Sequence, residues 1–171
     1  KAVISANNIE GLATASIRSA GIYGPHDKHR FPAVISNTLK TGQYIRIGDG
    51  SAKFTHVYVE NLAYAHALLA EKLNLDAPSA GESYFITDYE ASNFFEFFLP
   101  YLEALDIAYS NQNIPLLLAQ AIANILEFRH KIWQTNKTSF IQLSRYTVAS
   151  VATDFWFNHN KATTRNIIIK E

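Results

Sequence analysis

Short extended runs and helical runs take turns along residues 12–87, and that order restricts a chain to few architectures. "LATASIR" (12–18), after Gly11, alternates small and β-branched residues and reads as a buried strand. From Phe31 to Leu39 the apolar positions fall at helical spacing, with Lys40 in the last turn and Gly42 as the stop. "YIRIGDG" (44–50) is a short strand closed by a Gly-Asp-Gly turn, and "KFTHVYV" (53–59) a further extended piece. Leu62, Ala65, His66, Leu69 and Leu73 then share one helix face, and Glu60 and Asn61 suit its start. "SYFIT" (83–87) is the next strand. Strand–helix alternation of this kind predicts an α/β architecture.

The second half differs in texture. "SNFFEFFLPYLEALD" (92–106) reads as an aromatic helix with Ser92 as N-cap and a kink at Pro100. "SNQN" (110–113) is a polar break. Pro115 then opens a helix over "LLLAQAIANILEF", too short and too interrupted by Gln120 and Asn124 to span a bilayer, which takes ~20 apolar residues. A further helix falls near "SRYTVASVA", "DFWFN" is extended, and Asn158 caps "HNKATTRN".

Bulk properties remove several function classes. The 171 residues are one domain by length, enough to bury roughly 70% of the unfolded surface. Fifteen basic and fifteen acidic side chains cancel, so the basic face needed for a nucleic-acid partner is missing. Without Cys there is neither a disulfide nor a thiolate metal site, which suits a reducing, cytoplasmic compartment. The N-terminus lacks a signal-peptide layout and begins inside a helical run, "KAVISANN", without Met; it reads as a piece cut from a longer protein.

Chemistry-bearing residues are few. His26 and His29 have no third ligand at a useful spacing, so no metal site is expected. His66 is expected to be a satisfied core residue, whereas His56, just before a helix, stands where α/β folds hold ligands. No Gly-rich dinucleotide turn is present: Gly21 and Gly24 are followed by no third small residue at the right place. None of the nine Tyr has a Lys four residues later, so an acid/base couple on one helix face is absent. The remaining clue is "RSAGIYGPHD" (18–27), where a strand leaves through Ser19, Ala20 and Gly21 and turns at Gly24 and Pro25. It fits either a plain turn or a strand end that lets backbone approach a flat ligand.

In order and spacing, "IRSAGIYGPHD", "IGDGSAKFTHVYVENLAYAHALLAEKL", "AGESYFITD" and "DFWFNHNKA" resemble the C-terminal half of the 3β-hydroxysteroid dehydrogenase/isomerase family of extended short-chain dehydrogenases. The resemblance runs from about residue 1 to 162. It implies an α/β fold: the C-terminal part of an NAD(P)-binding Rossmann fold plus a smaller, mostly helical substrate-binding domain. Residues 1–90 would be the Rossmann part with interleaved substrate-domain segments, and residues 91–171 the helical part. The family's catalytic Tyr and Lys and its Gly-rich loop would precede Lys1, so no catalytic residue is expected here and the isolated chain is expected to be inactive. Ser19, Ala20, Gly21 and Ile22 would border the nicotinamide of NAD or NADP, with Ser19 standing where the family usually has Pro. Tyr23, Phe54 and His56 would border the substrate.

The resemblance further implies an NAD(P)-dependent oxidoreductase acting on a sterol-like secondary alcohol, with or without isomerisation. Sugar-nucleotide epimerases of the same superfamily carry a diphosphate-clamping Arg where this chain has Phe54, which favours a small lipophilic substrate. An epimerase or dehydratase, and a non-catalytic cofactor- or lipid-binding relative, stay as alternatives. The expectation is compatible with a homodimer and with peripheral contact to the cytoplasmic side of a membrane, through residues 114–126 followed by Arg129, His130 and Lys131. The end, "TTRNIIIKE", departs from the family pattern.

Overall fold

A computed structural model describes residues 1–28, 30–133 and 144–167. In chain order, α1 (Ala2–Ser5) leads to β1 (Ser16–Ser19) and β2 (Gly21–Tyr23), then α2 (Arg30–Thr41) and β3 (Gln43–Ile47). β4 (Lys53–Phe54), β5 (His56–Tyr58), α3 (Val59–Lys72) and β6 (Ser83–Ile86) follow. β7 (Ser92–Asn93), α4 (Leu99–Ala104), β8 (Ser110–Ile114), α5 (Leu116–Trp133), α6 (Arg145–Val151) and α7 (Asn160–Thr164) complete the order. The α/β expectation holds, with parallel strand pairs as in Rossmann-type folds.

The chain divides into two compact units. The first comprises Lys1–His26, Thr55–Ala91 and Trp156–Glu171. Here β1 pairs in parallel with β6, and β2 in parallel with β5. The partner changes at Ala20: its N–H donates to Ile86 at 3.3 Å, while the next N–H, of Gly21, donates to Thr55 at 3.0 Å. Ala20 is buried at that crossing, where a large side chain would have to displace core. Val57, Tyr84, Ile86, Leu62, Ala65, Leu69, Ala162 and Ile167 form this unit's core. α3 places Leu62, Ala65 and Leu69 inward, as the helical period predicts. His66 does not follow them. It is exposed, with Nδ1 2.8 Å from the Leu62 carbonyl, because position 66 lies one step past the buried stripe.

The second unit comprises Asp27–Phe54 and Ser92–Phe155. Its core is aromatic: Tyr44, Phe54, Phe94, Phe95, Phe98 and Leu102 pack with Ile107 and with Ala119, Ala123 and Val148 of α5 and α6. The aromatic stretch is not one helix. Ser92 and Asn93 pair with β4, and the Asn93 side chain accepts from the N–H groups of Phe95 (2.9 Å) and Glu96 (3.1 Å). The capping oxygen thus comes from Asn93, not Ser92. Pro100 stands in the first turn of α4, where its missing N–H costs nothing, so it starts a helix instead of kinking one. The polar "SNQN" is also strand: β8 pairs in parallel with β3 from Gln43↔Ser110 to Ile47↔Ile114.

Candidate functional site

In the first unit, parallel strands β2, β5 and β6 end together, the position where open α/β sheets bind ligands. Asp88, just past β6, organises this edge. Its carboxylate accepts from the Tyr58 N–H at 2.6 Å, the Asn61 side-chain amide at 2.9 Å and the Tyr23 hydroxyl at 3.2 Å, and its own N–H donates to His56 at 2.9 Å. Tyr58 is the residue before α3, so a carboxylate from a distant strand serves as that helix's N-terminal cap and meets the positive end of its dipole. With three donors on its two oxygens, Asp88 is a positioning residue. It holds Tyr23 against the start of α3.

Tyr23 is half-buried beside two further rings, His56 at 6.3 Å in an edge contact and Tyr58 at 5.5 Å. His56 is buried, and Ile22 points outward with nearly half of its surface exposed. Ser19 is exposed and Gly21 buried. Gly24, next in line, has φ +140°, and a Cβ there would lie 2.7 Å from Val59 Cγ1 and 3.0 Å from the Tyr58 ring. The Gly24–Pro25 turn therefore exists so that β2 can run tight against the first turn of α3. Behind the edge, the Thr87 hydroxyl meets both His159 Nδ1 and the Tyr89 carbonyl. One hydroxyl hydrogen cannot serve both, so both bonds form when Nδ1–H of His159 donates to Thr87.

Phe54 belongs to the second unit. It is 5% exposed, between the rings of Phe94 (5.5 Å) and Phe155 (5.3 Å), with the Arg30 guanidinium 4.7 Å from its centroid. Strand pairing to β7, a bridge to Phe155 and the bond from the Lys53 N–H to Asp154 at 2.8 Å fix its backbone. The sequence-predicted residues thus fall into two groups. Ser19 to Tyr23 and His56 come together at the strand ends of one unit, and Phe54 lies in the aromatic core of the other. Asp88 and Tyr58 carry no signal of this role in "SYFITD" and "VYVEN", and Asn61 reads there only as part of a helix start; nothing in either stretch shows that a residue after one strand will cap a helix after another. His29 lies outside the described residues, and among the described residues no three His, Cys, Asp or Glu side chains group as metal ligands.

The sequence profile of the 3-beta hydroxysteroid dehydrogenase/isomerase family matches residues 1–116, which include β2, β5, β6 and Asp88. The chain belongs to that family. The 3beta-hydroxysteroid-dehydrogenase/decarboxylase isoform 2 of Arabidopsis thaliana is 30% identical over 167 residues, covering 95% of this chain and 30% of the relative. The chain thus spans under a third of the length of that relative. Among solved structures, gox2253 matches 96% of the chain and 46% of its own with a TM-score of 0.59 at 16% identity. A UDP-glucuronic acid 4-epimerase from Bacillus cereus, in complex with UDP-glucuronic acid and NAD, matches 63% of the chain and 34% of its own with a TM-score of 0.51 at 15% identity. At such identities the two structures show the shared fold.

Proposed function

We propose that the protein of which these residues form part is an NAD(P)-dependent oxidoreductase acting on a 3β-hydroxysteroid or sterol-like secondary alcohol. One observation supports it above the rest: family membership coincides with a strand-end edge built from small residues beside Tyr23 and His56. When bound, the nicotinamide ring accepts or returns the hydride of the carbinol carbon. Ser19, Ala20, Gly21 and Ile22 would lie along it, with the exposed Ile22 as the apolar contact. The Ala20 and Gly21 N–H groups are committed to the sheet, so another backbone group of the segment would meet the carboxamide. Tyr23 and His56 would border the substrate, Asp88 holding the Tyr23 hydroxyl in place.

Proton transfer would fall to residues outside this chain, because no Tyr-x-x-x-Lys pair occurs in it. The isolated 171 residues would accordingly turn over no steroid. For the substrate, Phe54 standing where sugar-nucleotide epimerases of the superfamily carry a diphosphate-clamping Arg supports a lipophilic body over a diphosphate. Steady-state kinetics of the full-length protein with NAD⁺ or NADP⁺, on a 3β-hydroxysteroid and on a UDP-hexose, test this. The steroid is the expected substrate, and turnover of the UDP-hexose alone overturns the reading.

A second reading concerns location. No helix among the described residues is long and apolar enough to cross a membrane. α5 nevertheless carries an outward stripe of Leu117 (81% exposed), Leu118, Ile125, Phe128 and Ile132, bordered by the exposed Arg129 and Lys131. An apolar face flanked by cations suits a helix resting in a lipid interface. Vesicle flotation of the full-length protein should fall when Leu117, Phe128 and Ile132 are changed to Ser, and unchanged flotation would remove the idea.

A further inference from the structure

Asp88, which orients Tyr23, sits inside a turn closed by its neighbours. The Thr87 hydroxyl donates across it to the Tyr89 carbonyl at 3.2 Å. Thr87 is 1% exposed, so solvent does not replace a partner lost there. The same hydroxyl oxygen meets Nδ1 of His159, the residue before α7. A hydroxyl has one hydrogen and two acceptor lone pairs. The hydrogen that closes the turn on Tyr89 is therefore available only while His159 Nδ1 carries a hydrogen of its own. With Nδ1 bare, the ring takes the Thr87 hydrogen and the turn around Asp88 loses this bond.

α7 is placed to make this contact. Its Ala162 is fully buried in the core that holds Tyr84 and Ile86 of β6. Lys161 reaches Glu82, the residue before β6, and His159 reaches Thr87, the residue after it. The first contact is exposed and contributes little. The second ends on a buried hydroxyl. We propose that His159 is a positioning residue of the strand-end site: as an Nδ1–H donor it keeps the Thr87–Tyr89 turn closed around Asp88, and Asp88 thereby keeps Tyr23 facing the substrate. All of these residues belong to the first unit. His159 touches no ligand in this role, and an imidazolium would keep the same Nδ1–H. The contact thus depends on the tautomer and not on the charge of the ring. The proposal rests on the steroid reading above for what Tyr23 faces, and not for the bonds themselves.

The test uses the full-length protein, with NMR and with steady-state kinetics on a 3β-hydroxysteroid. At about pH 8, where an ordinary imidazole is neutral, long-range ¹⁵N–¹H correlation should find the His159 hydrogen on Nδ1. Thr87→Val and His159→Leu should each loosen the Tyr23 ring by line shape. Each should lower kcat/KM for the steroid by ~5- to 100-fold, the range of a small misplacement beside a reacting group. The double variant should be no worse than the poorer single one, since both changes remove one link. His159→Asn, whose amide N–H can stand where Nδ1–H does, should restore most of the activity. Lys161→Met, which frees the other contact of α7, should stay within ~2-fold of wild type. Thr87→Val covers the case in which His159→Leu fails to fold, and the tautomer is read on the wild type. An Nδ1–H signal and a Tyr23 ring that loosens in Thr87→Val, with no steroid turnover by the wild type, would keep the positioning link and remove the steroid reading. A bare Nδ1, an unchanged Tyr23 ring in folded Thr87→Val, steroid kinetics that neither variant alters, or a loss that His159→Asn does not relieve overturns the proposal.

Discussion

At the scale of single residues, the strand-end edge depends on two positions whose roles are geometric. Gly24 combines a left-handed φ with a Cβ direction blocked by Val59 and Tyr58. Gly24→Ala should destabilise by about 1–3 kcal/mol, combining backbone strain with overpacking, measured by denaturant midpoint. Asp88 satisfies three donors, one of them the N–H at the start of α3. Asp88→Asn keeps the size and loses the charge and part of the acceptor capacity, and should cost roughly 1–3 kcal/mol. Its Tyr23 ring should become mobile by NMR line shape, whereas a purely local cap would leave Tyr23 unchanged. The exposed Lys161–Glu82 pair gives a pH signature. The bond from Lys161 holds the Glu82 carboxyl below its ordinary value of 4.5. A depressed folded pKa contributes stability above the unfolded value and loses it as pH falls through the folded one. Lys161→Met should therefore lower stability slightly at neutral pH and leave it unchanged at strongly acidic pH, which flattens the fall below about pH 4.5.

Among the elements, hydrophobic period decided what the sequence could reveal. α2, α3 and α5 announce themselves because Leu62, Ala65 and Leu69, or Ala119 and Ala123, repeat toward a core. β8 was hidden for the opposite reason. Ser110, Asn111, Gln112 and Asn113 are polar and exposed, and only the backbone ladder to β3 makes them strand. No side-chain pattern marks such an element. The stretch at 92–98 misled through density: Phe94, Phe95 and Phe98 all face the core, yet the chain reaches them through a strand and a short 3₁₀ turn. Of the strand-end edge, Ser19 to Tyr23 and His56 were legible because small residues and a turn adjoin a strand. Asp88 was not, since it acts on residues far along the chain. β8 carries a prediction of its own. Gln112→Pro removes a ladder donor at the centre of the β3–β8 pair and should cost about 3 kcal/mol or more, while the solvent-facing swap Gln112→Thr should stay within ~0.5 kcal/mol.

For the whole molecule, neither unit is contiguous in sequence. The path enters the second unit at Asp27, returns at Thr55, leaves again at Ser92 and comes back at Trp156. Ala162 and Ile167, from the last return, are fully buried in the first unit's core beside Tyr84 and Ile86. A chain truncated after Phe155 should therefore lose cooperative unfolding of the first unit, read by thermal melting. The central claim, that the full-length protein moves a hydride from an apolar secondary alcohol to a nicotinamide, is tested most directly by isotope transfer. A 3β-hydroxysteroid deuterated at the carbinol carbon is incubated with NAD⁺ or NADP⁺ and the full-length enzyme, and the released reduced cofactor is analysed by mass spectrometry. Deuterium in the reduced nicotinamide is the predicted result. Unlabelled cofactor and intact steroid, with a UDP-hexose epimerised in the same preparation, would contradict the account.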